Sequence, residues 1–175
     1  MATEAFRGEF YQKVDSKARV SIPAPLRRIL DAEDPATPDK SRARVTMIYG
    51  GTRNFVECYS QSGAAALAAR VQQLPQGTRE RLKAERTFIT LSTEVEIDDD
   101  GRIVLPQKVR DKMGVTAEDQ AKGFLAAFAG TLDRFQLWKG DTYDVEVVAA
   151  DAAGDDDLLG GADPLILLKN TTAGG

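Results

Sequence analysis

The chain has no histidine, one cysteine (Cys58) and one tryptophan (Trp138). The commonest general base and metal ligand is therefore missing. Serine–histidine and cysteine–histidine nucleophiles cannot be assembled. One thiol cannot form a disulfide within the chain or a thiolate zinc site. An enzyme built from this sequence would have to rely on carboxylates, lysines or magnesium. No run reaches the roughly 18 apolar residues of a membrane span. The opening residues, MATEAFRGEF, lack the apolar core of a secretory signal. The expectation is a cytoplasmic protein of a reducing compartment that is not an enzyme and has no cofactor, no metal and no membrane partner.

The net charge is −4, which is unfavourable for a nucleic-acid ligand, but it is unevenly spread. From Gly140 onward there are eight acidic residues and one base, Lys169, which leaves residues 1–139 with 22 bases and 19 acids. Arg7, Lys13, Lys17, Arg19, Arg27 and Arg28 crowd the first thirty positions. A basic front and an acidic tail are compatible with a nucleic-acid face.

The chain also repeats itself. VDSKARVSIPAPLR (14–27) aligns without gaps to IDDDGRIVLPQKVR (97–110), an offset of 83. Asp15, Arg19, Pro23 and Arg27 match Asp98, Arg102, Pro106 and Arg110. A second block, GTRNFVECY (51–59), matches GTLDRFQLW (130–138) at an offset of 79. Two blocks in the same order indicate an internal duplication. The extra residues of the first copy are expected in the polar loop DAEDPATPDKSRAR (31–44).

Period-2 alternation in GEFYQKVD and TEVEID predicts half-buried strands. RVSIP and RIVLP predict short second strands, so each charged turn joins a hairpin. Gly101 suits the left-handed position of the second turn, whereas Ala18 stands there in the first; that turn is either strained or built differently. Proline closes each hairpin and a short helix follows, the second one stopped by Gly114. The organisation expected is a first repeat over 1–59, a helical connector over 60–88, a second repeat over 89–139, a helix over 140–150 and an acidic, mostly disordered tail over 151–175. Ser60 or Ser62 and Thr78 are candidate caps of the connector helices. Asp141 is expected to cap the last helix, with Val145, Val148 and Ala149 inward. Phe10, Tyr11, Tyr59, Trp138 and Cys58 are assigned to the core.

FRGEF, then VDSKARVSIPAPLR, then a second D-x-x-x-R arm over residues 5–150 resembles the MraZ family of bacterial transcriptional regulators. The resemblance implies an α+β fold of two AbrB-like swapped-hairpin β repeats, joined and flanked by helices. It also implies a homo-oligomeric ring of about eight or more subunits. The DNA bound would be short tandem repeats upstream of the protein's own division and cell-wall operon, with repression as the outcome. The family's DNA-contacting motif carries over to Asp15 with Arg19 and Asp98 with Arg102.

On the residues alone, Arg19 and Arg102 have two readings. Each can pair with the aspartate four residues back, or each can reach a guanine edge or a phosphate. The resemblance favours DNA, with Asp15 and Asp98 orienting the arginines. Lys17 is the expected phosphate contact, and Arg7 and Lys13 are candidates to extend the basic face. Arg27 and Arg110 read first as structural. Two rivals remain open. One is an AbrB-type antitoxin whose tail folds onto a toxin; the other is a carboxylate or magnesium enzyme, with Asp98–Asp100 as its acidic or metal-holding group.

Overall fold

Residues Glu9–Val14 form β1, with Phe10, Gln12 and Val14 turned inward and Tyr11 and Lys13 outward, as a strand covered on one face requires. The structure is a computed structural model that describes residues 4–154 and 158–169. A tight turn leads from β1 to β2 (Arg19–Ser21), followed by α1 (Ala24–Ala32), β3 (Arg44–Ile48) and β4 (Val56–Tyr59). Next come α2 (Gln61–Gln72) and α3 (Arg79–Ala84), the latter continuing as π-helical turns over Glu85–Thr90. The second copy holds β5 (Ser92–Glu96), β6 (Arg102–Val104), α4 (Gln107–Met113), α5 (Ala117–Lys122), β7 (Phe124–Gly130) and β8 (Phe135–Lys139). A last helical stretch runs through α6 (Gly140–Tyr143), π-helical residues Asp144–Ala149 and α7 (Ala150–Ala153). The fold class is α+β, as expected.

Six antiparallel strands form one sheet in the order β1-β7-β8-β4-β3-β5, and β2 pairs with β6 in a separate ribbon. Replacing every strand by its repeat-mate returns the same order read backwards. The sheet therefore has an internal pseudo-twofold axis between β8 and β4. There Glu57 faces Gln136, its mate at the offset of 79. In the ribbon, Val20 faces Ile103, its mate at the offset of 83. β1 pairs with β7, and β5 with β3, so each repeat completes the other's sheet. This is the swapped-hairpin arrangement. The repeats do not form separate bodies; the chain divides instead into Met1–Gly140 and Asp141–Gly175.

The registers locate the insertions more finely than the sequence does. Val45 faces Val95, and the mate of Val95, Gln12, faces Ala126, so Val45 corresponds to Ala126 at an offset of 81. Half of the extra residues thus lie between α1 and β3, in the loop expected. The other half lie in the β3–β4 connection around Gly50–Asn54, which corrects the sequence reading. Both are solvent-facing connections, where added residues cost little.

The core gathers equivalent residues from both copies: Val14 with Ile97, Val20 with Ile103, Leu26 with Val109, and Cys58 with Leu137, all buried. Each such side chain contributes about 1.5–3 kcal/mol on burial. Burial pushes the Cys58 thiol well above its ordinary value, consistent with a small core hydrophobe. Ser60 caps α2 by accepting the Gly63 N–H at 3.0 Å, and Thr78 caps α3 by accepting the Arg81 N–H at 3.2 Å. Gly114 ends α4 in the left-handed region at φ 77°. Pro23 and Pro106 sit at the entries to α1 and α4.

Some expectations fail. Tyr11 is 40% exposed because it lies on the outward face of β1. Val145 is 70% exposed, and Val148 and Ala149 are exposed as well. The π-helical winding over Asp144–Ala149 breaks the 3.6-residue period on which that stripe was counted. Asp141 lies inside the first turn of α6 rather than at its cap, and accepts the Thr142 N–H at 2.8 Å. Within the acidic segment, Pro164–Leu168 forms a 3-10 turn capped by Asp163, while 155–157 and 170–175 lie outside the described residues. Among the described residues no helix is long and apolar enough to cross a membrane.

A fragment ending at Gln73 keeps β1 and β3 but loses β7 and β5, their partners. By sedimentation and circular dichroism it is expected to be unfolded, or folded only as a dimer in which a second copy supplies the missing strands. A folded monomer would contradict the exchange.

Candidate nucleic-acid interface

Both D-x-x-x-R turns are built by the same device. Asp15 Oδ1 accepts the backbone N–H groups of Lys17 and Arg19, each at 2.9 Å, and its Oδ2 accepts Arg19 Nε at 2.8 Å. Asp98 Oδ1 accepts the N–H groups of Asp100 and Arg102, each at 2.9 Å, and its Oδ2 accepts Arg102 Nε at 3.3 Å. The main chain closes both turns alike, through Ala18 N–H to Asp15 O at 2.9 Å and Gly101 N–H to Asp98 O at 3.0 Å. A short carboxylate with two free oxygens can hold the turn and the arginine stem together; no neutral side chain supplies both acceptors. The Arg19 and Arg102 backbone N–H groups are the main cause of the lowered pKa of each aspartate, and the guanidinium beside it adds to the effect. The first turn is therefore not built differently: Ala18 takes a left-handed φ of 63°, matching Gly101 at 78°.

The exchange brings the two turns together. Arg19 faces Val104, and Ser21 faces Arg102, on either side of the Val20–Ile103 pair. Val20 and Ile103 point into the core, so alternation sends Arg19, Ser21, Arg102 and Val104 to the outer face. The two arginines are diagonal neighbours, a relation that sets Cβ atoms about 7–8 Å apart. Their side chains are 40% and 37% exposed. Neither guanidinium is buried inside the subunit.

The loops differ in charge balance. Arg19 is engaged through Nε, and among the described residues neither Nη group makes a hydrogen bond. Arg102 also donates from Nη2 to Asp100 at 3.1 Å. Asp99 is held by Arg42 through Nε and Nη2, both at 3.3 Å. The three carboxylates of the second loop thus turn toward arginines, not toward a common point. Among the described residues no group of three or more potential ligands converges on a metal position.

Lys17 is exposed at the tip of the first turn, and Lys13 is exposed on β1 just before it. Arg7 precedes β1, so a six-residue strand of about 20 Å separates it from the turn. Arg27 lies across the second turn: a Cβ added at Gly101 would fall 1.6 Å from its Nη1. Arg110 donates from Nε to Leu105 O at 3.1 Å and from Nη1 to Gln120 Oε1 at 3.2 Å. Two contributors went unread in the sequence, Arg42 and Gln120. Both come from connections where the copies do not match, so no repeated residue marks them.

No protein-family model matches the chain. Curated relatives do. A "Transcriptional regulator MraZ" of Cereibacter sphaeroides is 49% identical over 170 residues, covering 96% of this chain and 98% of the relative. One of Ruegeria pomeroyi is 41% identical over 171 residues, covering 97% of each. One of Parvibaculum lavamentivorans is 28% identical over 150 residues, covering 83% of each. The first two matches extend past residue 150, beyond the reach of the motifs.

The turn geometry separates two substitutions. Gly101→Ala places a side chain in the left-handed region and against Arg27, and is expected to cost at least about 1 kcal/mol. Ala18→Gly relieves a similar strain but loses a buried methyl and stiffness of the unfolded chain, so it should shift stability by less than about 1 kcal/mol. Urea unfolding of both variants measures the difference; equal effects would contradict it.

Proposed function

The chain belongs to the MraZ family of transcriptional regulators, and from that premise we propose that it acts by gripping double-stranded DNA with the outer face of the β2–β6 ribbon. The observation that carries this reading is the placing of two exposed guanidinium groups, one from each repeat, on a single two-stranded surface. A major groove about 12 Å wide admits such a ribbon. Arg19, whose Nη groups are available, is the principal contact with a base edge or phosphate. Lys17 contacts phosphate at the loop tip, and Lys13 extends the surface. Arg102 contributes less because Asp98 and Asp100 already hold it. Asp15 and Asp98 orient the arginines and are not themselves contacts. The function is binding, not catalysis.

One ribbon makes few contacts. The reading therefore includes a homo-oligomeric ring of about eight or more subunits, in which repeated ribbons meet tandem DNA repeats and gain by effective concentration. Leu82, Phe88 and Ile89, all exposed within the helical segment Arg79–Thr90, supply apolar surface that assembly would cover. The DNA is the region upstream of the protein's own division and cell-wall operon, the effect is repression, and the site of action is the cytoplasmic nucleoid. An antitoxin with one hairpin half per chain would have to dimerise to complete its sheet. Here both halves are in one chain and complete each other, which disfavours that alternative.

Arg19→Ala is expected to weaken binding to the upstream duplex by about five- to 150-fold, the equivalent of the roughly 1–3 kcal/mol of one good arginine contact, and to leave the thermal midpoint unchanged. Arg102→Ala should lose less. Titration at several salt concentrations checks both, since a lost phosphate contact lowers the salt slope. Full affinity in Arg19→Ala would refute the reading.

A further inference from the structure

We propose that each DNA-reading loop is held in its working shape by the opposite repeat, and that Gln120 and Arg42 are the positioning residues that do so. This rests on the DNA-binding reading of the ribbon. It names residues of no obvious motif as determinants of how well that ribbon recognises its sequence.

The two grips act on equivalent residues. Ser16 and Asp99 are repeat-mates at the offset of 83. Gln120 lies in α5, within the connection from α4 to β7, and its Nε2 donates to Ser16 O at 2.7 Å and to Asp15 O at 3.4 Å. Arg42 lies in the corresponding connection from α1 to β3 and holds the Asp99 carboxylate with two bonds of 3.3 Å. Each connection leads into the strand that pairs with the other repeat's first strand, β7 with β1 and β3 with β5. Strand exchange therefore delivers each grip to the loop it holds.

In the first loop the effect falls on one peptide group. The Ser16–Lys17 peptide has its N–H held by Asp15 Oδ1 at 2.9 Å and its C=O held by Gln120 at 2.7 Å. A peptide plane held from both ends fixes the backbone from which Lys17 projects, two residues before Arg19. Gln120 is in turn oriented by Arg110 Nη1 on its Oε1 at 3.2 Å. Helix α5 is anchored by the reciprocal Thr116–Asp119 cap and by Lys139 Nζ on Asp119 Oδ2 at 2.7 Å, and the Lys139 contact is the first cause of the Asp119 carboxyl's fall to about 2. The chain of contacts runs from the sheet to the loop tip. Ordering the loop before DNA arrives lowers the entropy lost on binding, so the gain should go to the sequence that needs this one loop shape.

The test uses the full chain with Gln120→Ala and the near-isosteric Gln120→Glu, which cannot donate to Ser16 O. Binding is measured to the duplex upstream of the protein's own reading frame and to a scrambled duplex of equal length. Exchange of the Lys17 amide and the thermal midpoint are recorded alongside. Both variants are expected to lose about tenfold in affinity for the upstream duplex, as for one hydrogen bond to a preorganised group. The scrambled duplex should be bound nearly as before, the Lys17 amide should exchange faster, and the midpoint should be unchanged. Arg42→Ala should narrow the same ratio by a smaller factor. Unchanged ratios in all three variants, with Arg19→Ala still impaired, would overturn the positioning role and leave the ribbon reading standing. A parallel fall in midpoint and in both affinities would also overturn it, as the mark of a residue that only stabilises the fold. An unimpaired Arg19→Ala would instead sink the ribbon reading itself.

Discussion

Everything in this molecule depends on an exchange of strands between two copies of one motif. β1 lies against β7 and β5 against β3, so neither copy has a sheet without the other. The exchange creates the pseudo-twofold axis, and the axis forces β2 to meet β6. Two turns that are 83 residues apart in sequence thereby become ends of one antiparallel ribbon. Had each repeat folded on itself, its charged turn would have faced solvent alone. The entropy of closing so long a loop grows only logarithmically, and it is set against the burial of Val20, Ile103, Leu26 and Val109 in the shared core.

The electrostatics follow from this frame. A protein of net charge −4 can present a local positive field if its acids are elsewhere or already neutralised. Eight acids lie from Gly140 onward, and those of the second loop are matched by Arg102 and Arg42. In the first loop only Asp15 is acidic, and Lys17 adds a second cation beside Arg19. The duplication has thus given two loops of one shape and unequal charge. The difference at the left-handed position has a matching physical cause. Arg27 lies across Gly101, so a Cβ there would have to displace its side chain, whereas its mate Arg110 is directed to Leu105 O and Gln120, and Ala18 is accommodated.

Much of this was legible in the sequence because it is local. Alternation marked β1 and β5, proline and glycine marked the ends of strands and helices, and serine and threonine marked caps. The D-x-x-x-R turns could be read because the aspartate acts on groups two and four residues away. What could not be read is long-range. Nothing in GEFYQKV says that its partner is FLAAFAG more than a hundred residues on. The intermediate offset at Val45 and Ala126 emerges only from registers. Gln120 and Arg42 stand in unmatched connections, and their partners are fixed by topology alone. The inward stripe assigned to Val145, Val148 and Ala149 failed because it assumed a helical period that this stretch does not keep.

The central claim is that the two arginines belong to one reading surface and not to two separate sites. A double-mutant cycle on affinity for the upstream duplex tests it most directly, with Arg19→Ala, Arg102→Ala and the combined variant measured at fixed salt. The account predicts a coupling energy of about 0.5 kcal/mol or more, as found for residues that share partners. Losses that add within about 0.3 kcal/mol would mean that the side chains act independently, and would contradict it.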